Sequence, residues 1–325
     1  MTNRRQLLAA MAASTFAPAL VRAADAFPSK PIRIIAGFSP GQGSDLAARR
    51  IAVDLSELLK TPVIVDNRVG AGGQIANSFV AKADPDGYTL LMGSAGAVST
   101  AAAFYGAKMP IDVQKDLAPV CTILRLSQNL ITSKLYKPQS FAEFIADVKA
   151  RPHKVSYGSP GFGTTAHLAM EYLAATAKLD LVHIPYKGNP PVYTDLMSGR
   201  VSAMFDNTTG SLPFLQAGQV NMLAVGSPER LPLFPKVPTV AESGFPGFDA
   251  RAWTGFMAPA GTPPEVVKKI NDAVAQIVVN PEFVKWAVNF GAEIFYSDPK
   301  QFAPYLKNEI TRWTDIVHQA GIKPE

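Results

Sequence analysis

The stretch "IIAGFSPGQGSDLAARRIAVDL", residues 34–55, changes character in its middle. An apolar run ends near Phe38, two glycines follow Pro40 within three residues, and an amphipathic pattern begins at Asp45. The apolar residues at positions 48, 51, 52, 55, 58 and 59 fall on one helical face. The stretch therefore predicts a buried strand, a glycine-rich turn and a helix that packs on a sheet.

The same strand, loop and helix order continues along the chain, which is typical of α/β proteins with parallel strands. The first series has predicted strands at 32–38, 63–66 and 89–93 and helices at 45–59 and 73–82. The second series has predicted strands at 155–157, 182–185 and 203–206 and helices at 165–175 and 191–197. Further helices are predicted from Pro263 and Pro281. Near the C-terminus, a last set of apolar residues at helical spacing predicts a helix that faces the core. The set comprises Phe302, Tyr305, Leu306, Ile310, Trp313 and Val317.

Two extended stretches separate these series. They are "DLAPVCTILRLSQNLITS", residues 116–133, and "VNMLAVGS", residues 220–227. A chain of 325 residues is long enough for two lobes, although its length alone also allows one large α/β domain. We expect a first lobe at 27–124, a second lobe at 125–225, and a return to the first lobe over 226–325.

The N-terminal segment "MTNRRQLLAAMAASTFAPALVRAADA", residues 1–26, has a basic start, an apolar run and small residues after it. This pattern predicts a secretory signal peptide cleaved after Ala23, Ala24 or Ala26, and hence a periplasmic protein. Either the Sec or the twin-arginine route fits. A retained membrane anchor is the weaker interpretation, because the apolar run is short and interrupted.

Composition and motifs exclude several function classes. Of 31 basic and 26 acidic residues, three basic ones lie in the leader, so the remaining chain is nearly neutral and has no basic stripe for nucleic acid. Cys121 lies in an apolar run and is predicted to be a buried small residue. No serine-hydrolase or nucleotide loop is present. His167 and Glu171 alone make only half a metal site. We therefore predict no catalytic residue, no metal and no cofactor.

The glycine-rich corner occurs twice, as "SPGQGSD" at residues 39–45 and "SPGFGTT" at residues 159–165. Each copy follows an apolar run and precedes an amphipathic helix, so each lobe contributes one. Glycines let the backbone approach a ligand closely, and the free N–H groups of a helix's first turn attract anions. Tight turns and helix caps explain each copy equally well on its own. The matched pair favours an anion-binding cleft.

Longer segments carry a resemblance to a known family. They include "TPVIVDNRVGAGGQIANSFVAKADPDGYTLLMG", "VHIPYKGNPPVYTDLMSGRVSAMFDN" and "LPLFPKVPTVAESGFPGF". In these the chain resembles the Bug-type substrate-binding proteins of the tripartite tricarboxylate transporter group. The resemblance implies a periplasmic-binding-protein fold, with two α/β lobes that close on a small aliphatic or aromatic carboxylate. It also implies a monomer that serves a membrane permease.

The resemblance and the two loops together give a set of expected ligand-binding residues. In the first loop Gln42 departs from the run of glycines that is more frequent in the family, which puts the identity of the ligand in doubt. Phe162 is expected to rest against the carbon body of the ligand. The expected set comprises Phe38, Ser39, Gly41, Gly43, Ser44, Asp45, Ser94, Ala95, Ser159, Gly161, Phe162, Gly163, Thr164, Thr165 and Asp206.

Two other functions stay open at this point. A secreted two-domain enzyme acting on an anionic substrate would need an acid/base pair, for which Asp45, Asp206 and His183 are the candidates. A receptor that passes its liganded state to a sensor protein would look the same in sequence as one that serves a permease.

Overall fold

A computed structural model describes residues 27–322, so the predicted leader at 1–26 lies outside the described residues. The strands within this range are β1 (Ile32–Ala36), β2 (Val63–Asn67), β3 (Thr89–Ser94), β4 (Leu117–Ser133), β5 (Val155–Ser159), β6 (Leu181–Pro185), β7 (Ala203–Asn207), β8 (Val220–Val225), β9 (Arg251–Pro259) and β10 (Ala292–Ser297). The α-helices are α1 (Gly43–Leu59), α2 (Gln74–Ala81), α3 (Ala101–Tyr105), α4 (Phe141–Ala150), α5 (Thr165–Ala177), α6 (Asn189–Met197), α7 (Thr208–Gln216), α8 (Pro264–Val278), α9 (Pro281–Asn289) and α10 (Pro299–Gln319).

Two sheets share the long strand β4. In the first sheet β1 lies parallel to β2 and β3, and β9 runs antiparallel between β3 and β4. In the second sheet β5 lies parallel to β6 and β7, and β7 runs antiparallel to β4. Residues 117–127 of β4 pair with β9, and residues 128–132 pair with β7. The strand therefore leaves the first sheet at Ser127 and enters the second at Gln128.

Each sheet is covered by its own helices. The apolar face of α1 packs through Ala48, Ile51 and Leu55 on the strands of the first sheet, together with α8. The second core gathers residues of β5, β7, α4 and α5. Cys121 is fully buried in the first core, as predicted, and burial raises the pKa of its thiol to about 12.

The return segment between β8 and β9 differs from the sequence-based expectation. Its residues Val240, Phe248 and Ala250 pack in the second core, so the chain rejoins the first sheet at Arg251 and not at residue 226. The physical reason is the apolar "FPGF" turn region, which buries Phe248 against the second lobe. We therefore propose that the second lobe runs from residue 128 to residue 250.

Backbone hydrogen bonds tie the two crossovers together. The Gly226 N–H donates to the Gln128 carbonyl at 2.8 Å, and the Ala250 N–H donates to the Gly226 carbonyl at 2.8 Å. A Cβ at position 226 would overlap the Gln128 carbonyl oxygen, so only glycine permits this close approach. Three segments of backbone thus meet at the junction of the lobes.

The C-terminal helix α10 contacts both lobes. Its Phe302 and Leu306 pack in the first lobe, as the amphipathic stripe predicted. Further along, Trp313 and Val317 pack with Phe104 of the first lobe and Leu168 of the second. In the part of the chain described, no helix is both long enough and apolar enough to cross a membrane.

Candidate functional site

The two glycine-rich loops face each other between the lobes. The first joins β1 to α1 and the second joins β5 to α5, so both lie at the carboxyl ends of parallel strands, where ligands of open α/β sheets collect. Thr100 of the first lobe donates a hydrogen bond from Oγ1 to the Gly163 carbonyl of the second loop at 2.9 Å. The lobes are therefore in contact around the space between the loops.

A cavity of about 90 Å³ lies in this space, and we call it the first cavity. Its volume leaves room for several water molecules or a small organic acid. Both lobes and the crossover strands contribute to its wall. The lining residues are Phe38, Gln42, Gly43, Ser44, Ser94, Gly96, Leu126, Gln128, Pro160, Thr164, Thr165, Ala166, Asn189, Asp206, Asn207, Ala252, Trp253 and Thr254.

Unpaired polar atoms concentrate at this cavity. Within residues 27–322, eight buried side-chain nitrogen or oxygen atoms have no hydrogen-bond partner, and five of them belong to residues that line the first cavity. Buried polar atoms without partners are costly, so such a cluster indicates a polar ligand or ordered water. The five atoms are Gln42 Nε2, Gln128 Oε1, Thr165 Oγ1, Asn189 Oδ1 and Thr254 Oγ1.

Four helices begin at the first cavity. The first residues of α1, α5 and α6 line it, and so does Asn207, which caps α7. The N–H groups of a helix's first turn lack intrahelical partners and carry the positive end of the helix dipole. No lysine or arginine is among its lining residues. Pro190 and Pro191 leave the first turn of α6 with few N–H groups, and side-chain caps occupy one N–H each in α5 and α7. The first turn of α1 has no side-chain cap and is the main source of neutral donors for an anion.

Asp206 is the one charged residue in the lining. Its Oδ1 accepts from Asn189 Nδ2 at 3.0 Å and from the Asn207 N–H at 2.8 Å, and its Oδ2 accepts from the Tyr193 hydroxyl at 2.7 Å. Burial raises its pKa to about 6, while these three donors oppose that shift. Both carboxylate oxygens are thus occupied by protein donors.

Two stacked histidines, the buried His167 and the half-buried His183, support the second loop. His167 and His183 stack with ring centroids 4.3 Å apart. His183 Nε2 and Ser159 Oγ are 2.7 Å apart, and His167 Nδ1 accepts the Gly163 N–H at 3.2 Å. Burial lowers the pKa of His167 to about 3 and that of His183 to about 4, so both rings are neutral at pH 7.

These histidines give a prediction about pH. The unfolded state takes up protons on both rings as the pH falls below about 6.5, whereas the folded state does not until about pH 4. Their contribution to the free energy of unfolding is therefore present above pH 6.5 and is lost toward pH 4, by up to about 2 kcal/mol for the buried His167 at pH 5 and by less for the more exposed His183. Asp206 titrates in the opposite sense, so the effect must be isolated with a variant.

His183→Phe keeps the stacked ring and removes its titration. We expect the free energy of unfolding, measured with urea at pH 7 and pH 5, to fall less with acid in this variant than in the wild type. Equal losses in the two proteins would contradict the assignment of His183 as a neutral ring.

Ten of the fifteen expected ligand-binding residues line a cavity between the lobes; that they bind a ligand stays a prediction. Seven line the first cavity: Phe38, Gly43, Ser44, Ser94, Thr164, Thr165 and Asp206. Phe38 also lines an adjoining space of about 340 Å³, the second cavity, together with Ser39, Gly161 and Phe162. Neither lining includes Gly41, Asp45, Ala95, Ser159 or Gly163.

Four of these five residues make hydrogen bonds within the loops or to the residues behind them, and Ala95 does not. Asp45 accepts from the Gly41 N–H, Arg49 and Asn67, and although burial alone would raise its pKa, these donors hold it below its usual value. The N–H of Gly163 donates to His167 Nδ1 at 3.2 Å. Ala95 is buried in the first lobe.

The structure adds residues that the sequence analysis did not assign to the site. Gln128 comes from the crossover strand β4, and Trp253 and Thr254 come from β9. Asn189 lies in the segment "YKGNPP", which belongs to the stretches that resemble the family. Its position directly before a proline at a helix start was only a weak local indication that it could line the site. Within residues 27–322 no cluster of three or more His, Cys, Asp or Glu could hold a metal ion.

Comparisons with known proteins agree with this geometry. A family model described as "Tripartite tricarboxylate transporter family receptor" matches residues 47–322. Rpa4515 of R. palustris, solved with adipate, is 34% identical, and the match covers 92% of this chain and 100% of that one with a TM-score of 0.88.

Two further solved structures are similar over nearly the whole chain. MatC (Rpa3494) from Rhodopseudomonas palustris, with bound malate, is 32% identical, with 90% and 100% of the two chains covered and a TM-score of 0.84. The periplasmic binding protein BugD is 31% identical, with 92% and 100% covered and a TM-score of 0.86. The expected two-lobed α/β fold is confirmed by these matches.

Proposed function

Because the chain belongs to the tripartite tricarboxylate transporter receptor family, we propose that it captures a small carboxylate between its lobes and delivers it to a membrane permease. The family resemblance drawn from the sequence motifs is thereby confirmed. The ligand, the permease and the periplasmic location are the parts of this proposal that extend beyond family membership.

The observation that carries the proposal is the first cavity itself. Four helix N-termini and five unpaired buried polar atoms meet in a space sized for a small molecule. Helix N-termini bind carboxylates without a cation, because their N–H groups are preorganised and carry partial positive charge. The relatives solved with adipate and with malate support the same ligand class.

The cavity gives less support to an enzyme. His183 is bonded to Ser159 and stacked on His167 and Tyr157, and Asp45 is bonded within the first loop. Asp206 is the remaining acid/base candidate, and three donors occupy its oxygens. We therefore propose a receptor without turnover, located in the periplasm by the leader that the sequence predicts.

The proposal predicts stabilisation by carboxylates. In a thermal-shift screen of mono-, di- and tricarboxylates, at least one acid should stabilise the mature protein by about 2.7 kcal/mol at one hundred times its Kd. Matched amides of the same acids serve as controls and should not shift the unfolding temperature. The proposal would be contradicted if no carboxylate raised the unfolding temperature, or if NMR showed conversion of the bound acid to a product.

A further inference from the structure

The two cavities between the lobes meet at three residues. Phe38, Gln42 and Pro160 line both the first and the second cavity. Phe38 and Gln42 belong to the first loop and Pro160 to the second, so these side chains form the partition between the two spaces. Of the three, only Gln42 has a polar side chain.

The side-chain amide nitrogen of Gln42 is available for a hydrogen bond to a ligand. It occupies the N-cap of α1, but its side chain makes no capping hydrogen bond. Its Nε2 is buried and has no partner within residues 27–322. The same atom lies 3.9 Å from the position that a Cβ on Gly188 would occupy, so the amide reaches across the cleft to the second lobe.

The second cavity differs from the first in size and chemistry. It measures about 340 Å³, and aromatic rings of both lobes line it, namely Phe38, Tyr105, Phe162 and Tyr186. Its lining includes one charged residue, Lys187, which is exposed. Such a space suits an apolar chain that ends in a second acidic group near Lys187.

We propose that Gln42 sets the length of the ligand by closing the second cavity against the first. Its amide donates to the acid held in the first cavity and, by its bulk, excludes the longer chain that the second cavity would accommodate. This inference rests on the proposed function, because it assumes that the first cavity binds a carboxylate.

The test uses the unbranched diacids from succinate, with four carbons, to suberate, with eight, titrated by calorimetry. In Gln42→Ala, succinate should bind about tenfold more weakly, since a hydrogen bond to a charged group is lost. Suberate should bind Gln42→Ala more tightly than the wild type, because each methylene group moved from water into the aromatic cavity raises the affinity about fourfold. The ratio of the suberate Kd to the succinate Kd should therefore fall at least about tenfold.

Two further variants sharpen the result. Gln276→Ala, an exposed change on α8 outside both linings, should keep the wild-type ratio. Adding Lys187→Gln to Gln42→Ala should weaken suberate about threefold and leave succinate unchanged, as expected for an exposed ion pair. Unaltered suberate binding there would overturn the assignment of the second acidic group to Lys187.

The outcomes separate this inference from the proposed function. If the wild type binds no diacid and no other carboxylate, the proposed function fails and the inference fails with it. If the wild type binds diacids and folded Gln42→Ala keeps the same preference for length, the role of Gln42 is overturned while the carboxylate receptor stands. Folding is checked by the unfolding temperature without ligand.

Discussion

Gly43→Val should weaken carboxylate binding about a hundredfold and leave the free energy of unfolding of the ligand-free protein within about 1 kcal/mol of the wild type. A Cβ at Gly43 would lie 2.5 Å from Thr209 Oγ1 and 3.3 Å from Asn207 Oδ1, and both atoms belong to the opposite lobe. The added side chain therefore holds the lobes apart. Gly43 itself is the first residue of α1 and has no positive φ, so valine causes no backbone strain there.

A compensating change separates steric blocking from a direct loss of ligand contacts. Thr209 lines neither cavity, so Thr209→Ala alone should bind nearly as well as the wild type. Gly43→Ala should bind weakly, and Gly43→Ala with Thr209→Ala should recover most of the affinity. Calorimetry on the four proteins forms a double-mutant cycle. A double variant that binds no better than Gly43→Ala would contradict the blocking of closure.

Gly163 is a poorer test of the same idea, although the two loops match in sequence. Its φ is +71°, and a Cβ there would lie 2.9 Å from Phe104 and 3.0 Å from Tyr105. Valine at this position strains the backbone and collides with ring atoms of the first lobe. A loss of binding in Gly163→Val would therefore mix unfolding with a change in the site.

Gly226→Ala should lower the free energy of unfolding by about 3 kcal/mol or more. The new Cβ would overlap the Gln128 carbonyl, a backbone atom that accepts the hydrogen bond of Gly226 itself. Relief requires the junction of β4 with the return segment to move, and the adjoining bond from Ala250 is then lost as well. Urea unfolding without ligand measures the effect.

Gly218→Ala is the matched control for this change. Gly218 has a φ of +67° and no atom within 4 Å of its would-be Cβ, so alanine there costs backbone strain alone, about 1 to 2 kcal/mol. Gly226 has no positive φ, so the destabilisation caused by alanine at this position comes from the steric overlap alone. If Gly226→Ala proves no more destabilising than Gly218→Ala, the close packing of the crossovers is not important for stability.

Most of the fold could be predicted from local sequence patterns. The loops after β1 and β5 could be predicted because an apolar run, glycines and an amphipathic helix follow each other within about twenty residues. The amphipathic pattern predicts that the helix after the first loop begins at Asp45. In the structure Gln42 is extended and the helix begins at Gly43, so the glycine that approaches the opposite lobe is already helical.

The parts of the site that could not be predicted depend on the pairing of strands that are distant in sequence. Gln128 and Thr254 stand in apolar strands without a local signal. They reach the first cavity because β4 pairs with β9 up to Ser127 and with β7 from Gln128 onward. The point at which the chain returns to the first sheet depends on non-local packing in the same way. The packing of Phe248 in the second core depends on helices and strands that are distant in sequence.

The strand β4 has a consequence for how receptors of this architecture can diversify. Because one continuous strand supplies an inner position to both sheets, no single cut in the gene releases a half that keeps its own sheet intact. Exchange of whole lobes by recombination would require three compatible joints, at β4, at the return segment and along α10, to be inherited together. New ligand preferences in such a chain are therefore reached more readily by point substitution in its loops than by shuffling of modules.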